Sequence, residues 1–223
     1  MTSKLNIDVK VDQIYAENTY ILNLNGQDQC LVIDPGFDFQ EIIRHIETKE
    51  LEVAAIVNTH GHIDHIVGNQ AVKDRWPDAP IVIGTGDAPK LTDAMLNLSG
   101  KYGLSILSPP AERTLNEGDV FEEAGIRLHV LETPGHSEGH IVLIDKDHSP
   151  WIVYNGDVLF QGGIGRTDFP DGSFEDLVDS IHRKLFTLPD DTIVFTGHGE
   201  PTTIGDEKRN NPFVGLRSSF PPR

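Results

Sequence analysis

Seven consecutive residues constrain this chain more than any other feature: Thr59-His60-Gly61-His62-Ile63-Asp64-His65. They follow directly on the short apolar run from Val53 to Val57, which reads as a buried strand. Three imidazoles and one carboxylate within six positions is a density that surface loops do not carry without a reason. A turn over 60–62, with Asp64 and His65 opening a helix, lets all four side chains converge from one strand end. Gly61 is expected to let the backbone bend tightly between two imidazoles. Asp64 is expected to be favoured near a helix N-terminus.

The same grammar recurs three times: an apolar strand, a turn residue, then His or Asp. His136 follows the strand at 126–132, Asp157 follows the strand at 151–155, and His198 follows the strand at 192–196. Side chains held on loops at strand ends and positioned by a rigid sheet are how α/β scaffolds build sites. His60, His62, His65, His136 and His198 with Asp64 and Asp157 make seven candidate ligands. Imidazole and carboxylate together suit zinc, iron or manganese rather than calcium. Seven exceed what one tetrahedral zinc needs and suffice for two metals sharing a carboxylate. His129, His140 and His182 read as core or surface histidines, and His45 and His148 as surface ones. Cys30 reads as a small core residue.

Around this constellation the pattern alternates between sheet and helix. Strands are expected at 5–11, 19–24, 29–33, 53–57, 80–83, 126–132, 140–145, 151–155 and 192–196. Helical spacing appears around 39–46, 66–75, 87–96 and 174–186. Residues 98–110 fit neither pattern. Such alternation predicts mixed sheets covered by helices. At 223 residues this is one domain, over 1–209, followed by a tail at 210–223 expected to be loosely ordered.

Charge narrows the partners. Lys and Arg number 18 against 35 Asp and Glu, a net charge of −17, which disfavours phosphate backbones and anionic membranes. A small-molecule substrate is expected, with neither nucleic acid nor membrane as partner; oligomeric state is not legible. The single cysteine allows no intrachain disulfide. Residues 1–11 lack the basic and apolar regions of a signal peptide, and no run approaches 18 apolar residues, so a cytoplasmic protein is expected. Gly162-Gly163-Ile164-Gly165 is not a phosphate loop, because no Lys-Ser/Thr follows it; it reads as a tight loop beside the metals.

The order His, His, Asp-His, His, Asp, His resembles the metallo-β-lactamase superfamily over roughly residues 20 to 200, with the His-x-His-x-Asp-His motif falling on 60–65. The resemblance implies a four-layer αββα sandwich, two mixed β-sheets flanked by helices, with a dinuclear site at one edge. By position, His60, His62 and His136 would hold one metal, and Asp64, His65 and His198 the other. Asp157 would bridge them. Gly156-Asp157-Val158-Leu159-Phe160 and Gly165-Arg166-Thr167-Asp168 resemble glyoxalase II-like hydrolases and persulfide dioxygenases. The stretches 196–205 and 211–213 resemble the compact glyoxalase II-like branch. The chain departs from that branch with Asp168 and Glu200 where tyrosines are common, and with Arg166 in place of a lysine.

The implied chemistry is hydrolysis. Two cations ~3.5–4 Å apart lower the pKa of a shared water toward ~7, and the resulting hydroxide attacks a carbonyl. Asp64 would orient that nucleophile, and Arg166 would bind a substrate carboxylate bidentately. A thiolate leaving group, pKa ~8.5, departs without a general acid. A small thioester is therefore the expected substrate, in the manner of a hydroxyacylglutathione hydrolase. Zinc is the expected metal, with iron or manganese as alternatives. Two further enzyme readings stay open: a mononuclear-iron persulfide dioxygenase using His60, His136 and Asp157, and a lactone or ester hydrolase. A non-catalytic binding module is disfavoured, because such members usually lose ligands.

Overall fold

The structure, a computed structural model, describes residues 4–220. Its first half builds one six-stranded sheet. β1 (Leu5–Val11), β2 (Asn18–Leu24) and β3 (Gln29–Ile33) run antiparallel. Helix α1 (Phe39–Thr48) then crosses to β4 (Glu52–Asn58), which lies parallel to β3. The short α2 (Ile63–Ile66) and α3 (Asn69–Arg75) cross to β5 (Ile81–Gly84), and β6 (Arg113–Leu115) closes the sheet in order β1-β2-β3-β4-β5-β6.

The second half builds the facing sheet. It contains β7 (Val120–Glu123), β8 (Ile126–Glu132), β9 (Ile141–Asp145) and β10 (Ile152–Tyr154). A two-stranded ribbon, β11 (Leu159–Phe160) and β12 (Gly163–Ile164), and helix α4 (Phe174–Arg183) follow. β13 (Ile193–Phe195) returns parallel to β10, and β14 (Thr202–Thr203) leads into α5 (Ile204–Asn210). The order is β14-β13-β10-β9-β8-β7.

Alternation along the strands sorts side chains into three apolar layers. Leu22, Leu31, Ile33 and Val57 meet Leu128, Val130, Ile141, Leu143 and Tyr154 between the sheets. The opposite faces, Ile21, Val32 and Ile56, pack on Ile42 and Ile46 of α1 and Val72 of α3. Val142, Val153 and Val194 pack on Leu177 and Ile181 of α4. This is the mixed-sheet fold that the sequence pattern predicts, in the four-layer αββα form that the family resemblance implies. Among the described residues, no helix is long and apolar enough to cross a membrane.

Local differences from the sequence reading have identifiable causes. The helix expected over 87–96 is one 3₁₀ turn at Ala88–Thr92. Asp93 Oδ1 accepts the backbone N–H groups of Met95 and Leu96 at 2.8 and 3.2 Å, an alternative to the helical ladder. The helix expected over 66–75 is split because Gly68 N–H donates to Pro35 O at 2.8 Å. A Cβ at Gly68 would lie 2.6 Å from that same oxygen. Of the tail expected to be loosely ordered, the start is packed: Asn211 and Val214 are buried, and Asn211 Nδ2 donates to Gly163 O at 2.9 Å, while residues 221–223 lie outside the described residues.

Candidate metal centre

All seven predicted ligands lie on connections leaving strand ends at one edge of the sandwich, with Asp64 and His65 in the short helix α2. His60, His62, Asp64 and His65 leave β4. His136 leaves β8, Asp157 leaves β10 and His198 leaves β13. The structure brings them together. Ligand-capable atoms of His60, His62 and His136 group within 4.8 Å, as do those of Asp64, His65 and His198, and those of His60, His65 and Asp157.

The separations match a cation cage. Donors ~2.0–2.1 Å from one tetrahedral ion sit roughly 3.3 Å from each other. His198 Nε2 lies 3.4 Å from Asp64 Oδ2 and 3.5 Å from Asp157 Oδ2. His136 Nε2 lies 3.5 Å from Asp157 Oδ2, and His65 Nε2 lies 3.5 Å from Asp157 Oδ1. His62 Nδ1 faces His136 Nε2 at 2.9 Å. The Asp157 carboxylate thus reaches imidazoles of both groups. His60 Nε2, His65 Nε2 and Asp157 Oδ1 are buried with no hydrogen-bond partner. Buried polar atoms without partners are costly, and a cation among them removes that cost.

Outer partners fix which ring nitrogen is bare. His65 Nδ1 donates to Asp34 Oδ2 at 3.2 Å, His136 Nδ1 to Arg166 O at 2.8 Å, and His198 Nδ1 to Tyr15 O at 3.1 Å. Each bond commits the proton to Nδ1 and leaves the Nε2 lone pair for the centre. Asp34 also accepts from Thr59 N–H at 2.7 Å and Thr59 Oγ1 at 2.6 Å, locking the start of the His-rich loop. The His198 loop is held by the other sheet, since Asn18 Nδ2 donates to Thr196 O and Gly199 O. Gly61 is required by close approach rather than by a bend: a Cβ there would lie 2.5 Å from Lys90 Cβ.

Burial depresses the basicity of His60 and His62, and the neighbouring imidazoles push them further down. At His198 burial also opposes the charge, but Asp157 and Asp64 outweigh it and raise the group to about 11. At His65 the same contest, with Asp64, Asp157 and Asp34, ends at about 9. Asp157 is held well below the carboxylate range: its burial opposes ionisation, yet His65, His198 and His136 prevail. This half of the centre demands positive charge.

A cavity of about 250 Å³ opens over the centre. Tyr15, Leu98, Tyr102, Phe160, Ile164 and Phe169 form its walls. Phe160 and Ile164 lie in stretches that the sequence pointed to, whereas periodicity and motif spacing did not single out Tyr15, Leu98, Tyr102 or Phe169. Arg166 also lines it, but its guanidinium is paired bidentately with Asp168 at 3.0 and 2.9 Å and stacks 4.7 Å from the Phe169 ring. His140, read as an ordinary histidine, is fully buried; it stacks on His60 at 4.7 Å, and its Nε2 accepts from Asp157 N–H at 3.1 Å. Its place five residues after Thr-Pro-Gly was the only available signal.

Known proteins share this frame. The chain is 43% identical over 199 residues to the probable metallo-hydrolase YqgX of Bacillus subtilis, covering 88% of this chain and 92% of that one. It is 36% identical over 217 residues to hydroxyacylglutathione hydrolase GloC of Haemophilus influenzae, covering 96% and 100%. The structure of BLEG-1, a B3 metallo-β-lactamase, superimposes with a TM-score of 0.88 at 35% identity, over 93% of this chain and 99% of that one. TTHA1623 in a di-iron-bound form gives 0.80 at 33% identity, over 92% and 99%. Residues 14–198 match the sequence profile of the metallo-β-lactamase superfamily, and this chain, with a centre that fits the divalent cations of that fold, belongs to that superfamily.

Proposed function

We propose that this chain hydrolyses small thioesters, as a hydroxyacylglutathione hydrolase does. His60, His62 and His136 would hold one divalent cation, Asp64, His65 and His198 a second, and Asp157 would face both. Two such cations supply a water of lowered pKa and a Lewis acid for a carbonyl oxygen. The donor set suits zinc, and equally iron or manganese. Asp64, whose Oδ2 lies 3.4 Å from His198 Nε2, would also accept a hydrogen bond from the attacking water and aim it. The aromatic walls exclude bulk water and hold the acyl carbon over the centre.

The carrying observation is what the cavity lacks. Outside the ligand cluster, its ionisable lining side chains are Tyr15, Tyr102 and Arg166. Burial and the nearby Tyr102 and Asp64 push the Tyr15 phenol further up from its ordinary value. Among the described lining residues outside the ligand cluster there is no carboxylic acid or imidazole to serve as a general acid tuned near neutral pH. A thiolate, pKa ~8.5, leaves without such help, whereas an amine or alkoxide does not. The whole-length similarity to GloC supports the same reading. The net charge of −17 supports a small-molecule enzyme, which we take to be cytoplasmic, over a partner for nucleic acid or membrane.

The test compares a thioester, an oxygen ester and an amide of one acyl group, using protein loaded with zinc, iron or manganese. The thioester is expected to exceed both others in kcat/KM by at least about 100-fold. Chelation should abolish turnover and metal should restore it. Equal rates on all three, or a preference for the amide, would overturn the proposal.

A further inference from the structure

A second cavity, of about 310 Å³, lies beside the first, and Leu98 lines both. Phe169 of the first cavity adjoins Pro170 of the second. Leu98 is thus the ridge between them, and a ligand long enough to cross it would use the two as halves of one groove. That ridge is built, not incidental. Leu98 is buried at 6% exposure and sits at φ 72°, a left-handed conformation that a leucine adopts only when its surroundings impose it. The buried Asn97 imposes it. Its Oδ1 accepts from Ser99 N–H at 3.0 Å, and its Nδ2 donates to Ile106 O at 2.9 Å. Its carbonyl accepts from Ile63 N–H at 3.0 Å. Ile63 directly follows His62, so the ridge is registered to the ligand loop.

The far half presents the apolar side chains of Pro89, Met95, Leu96 and Pro170 beside the charged Lys90, Glu138 and Asp171, and Met95 and Leu96 are 61% and 47% exposed. Large apolar side chains left open around a cavity point to a ligand that covers them. The charged groups there offer nothing to an anion. The Lys90 ammonium is engaged by Asp171 at 2.5 Å, Asp87 at 3.2 Å and the Ser137 hydroxyl. The Glu138 carboxylate on the rim has no side-chain partner among the described residues and would repel a second carboxylate or a phosphate.

We infer that this far half is the acyl subsite, and that the enzyme prefers thioesters whose acyl arm is an uncharged hydrocarbon chain extending past Leu98. This rests on the thioesterase reading. The acyl half is assigned because it alone can be plain hydrocarbon; biological thiol carriers present polar or charged groups.

The experiment uses N-acetylcysteamine thioesters from acetyl to octanoyl with metal-loaded protein. Each methylene that enters the groove should raise kcat/KM by about fourfold, mainly through KM. Leu96→Asp places a charge at an exposed position and should cut the octanoyl-to-acetyl ratio at least about tenfold, with the melting temperature checking that the variant folds. Met95→Glu provides a second, independent variant. A flat or falling chain-length series, or a ratio unmoved by both variants, overturns the subsite. Failure to turn over any thioester, acetyl included, overturns the thioesterase reading itself and the subsite with it. Turnover of acetyl without a chain-length gain overturns the subsite alone.

Discussion

The Asp87 carboxylate accepts a hydrogen bond from the backbone N–H of Gly61 at 2.8 Å, and Gly61 is the residue between His60 and His62. The other oxygen of Asp87 accepts from Gly139 N–H at 2.8 Å and from Ser137 Oγ at 2.6 Å, on the loop that carries His136. One buried carboxylate therefore ties the two loops of the first ligand group together. Lys90 neutralises it from 3.2 Å. Replacing Asp87 with Ala strands two buried N–H groups and removes one partner of a buried ammonium. Stability of the metal-free protein should fall by about 3–5 kcal/mol, read by urea unfolding. Affinity for the first metal should weaken roughly 10- to 100-fold, read by chelator competition. An Asp87→Ala protein with unchanged metal affinity would show that the loops hold their register without this tie.

Asp157 faces imidazoles of both groups, so its loss should be felt twice. Asp157→Ala should reduce bound metal from about two ions per chain to one or fewer, and thioester kcat by at least about 1,000-fold. Elemental analysis of protein purified without chelator reads the first quantity. Retention of two metals and full turnover would remove Asp157 from the centre. A single iron in the parent protein would instead favour oxygen-dependent chemistry, readable with an oxygen electrode.

Protons and metal compete unequally for the two groups. Without metal, His198 at about 11 and His65 at about 9 are protonated at neutral pH, whereas burial keeps His60, His62 and His136 below their usual value. Both raised groups exceed the unfolded value of ~6.5. Their contribution to the stability of the metal-free protein is fully present below pH ~6.5 and is lost as pH rises through about 9 and then about 11. Filling the second group must displace those protons. Titration calorimetry at pH 7 in buffers of different ionisation enthalpy should find about two protons released for the second ion and almost none for the first. Equal release at both steps would contradict this asymmetry.

Glu17 is fully buried behind His65, and its Oε1 has no hydrogen-bond partner. Burial, reinforced by Asp34, Asp64 and Asp12, raises its carboxyl well above the usual range. A carboxyl with a raised folded-state value costs stability once the unfolded chain can ionise, above pH ~4.3. The isosteric Glu17→Gln should therefore melt higher than the parent at pH 7 and at nearly the same temperature near pH 4. A lower melting temperature at pH 7 would mean that the ionised carboxylate is needed there.

The ligand set was legible in the sequence because each member follows an apolar strand and a turn residue, a local pattern that needs no tertiary information. The strands and the helices α1 and α4 were legible for the same reason: burying one face imposes a period of 2 or 3.6. The false helix at 87–96 shows the limit of that signal, since the Asp93 side chain captured the backbone at Met95 and Leu96. Nothing local marked Asp34, Asp87 or His140 as supports of the centre. Their partners lie 25, 26 and 17 residues away, and such pairings exist only once the sheets bring the strand ends together. The shape of the cavity was hidden for the same reason, because Tyr15, Leu98, Phe160 and Phe169 come from four separate segments of the chain. The sequence by itself nominated the residues able to bind metal. Tertiary structure alone decided which nitrogen of His65, His136 and His198 is bare, how near the Asp157 carboxylate comes to imidazoles of both groups, and what shape of molecule reaches them, because each depends on distances between segments far apart in the chain.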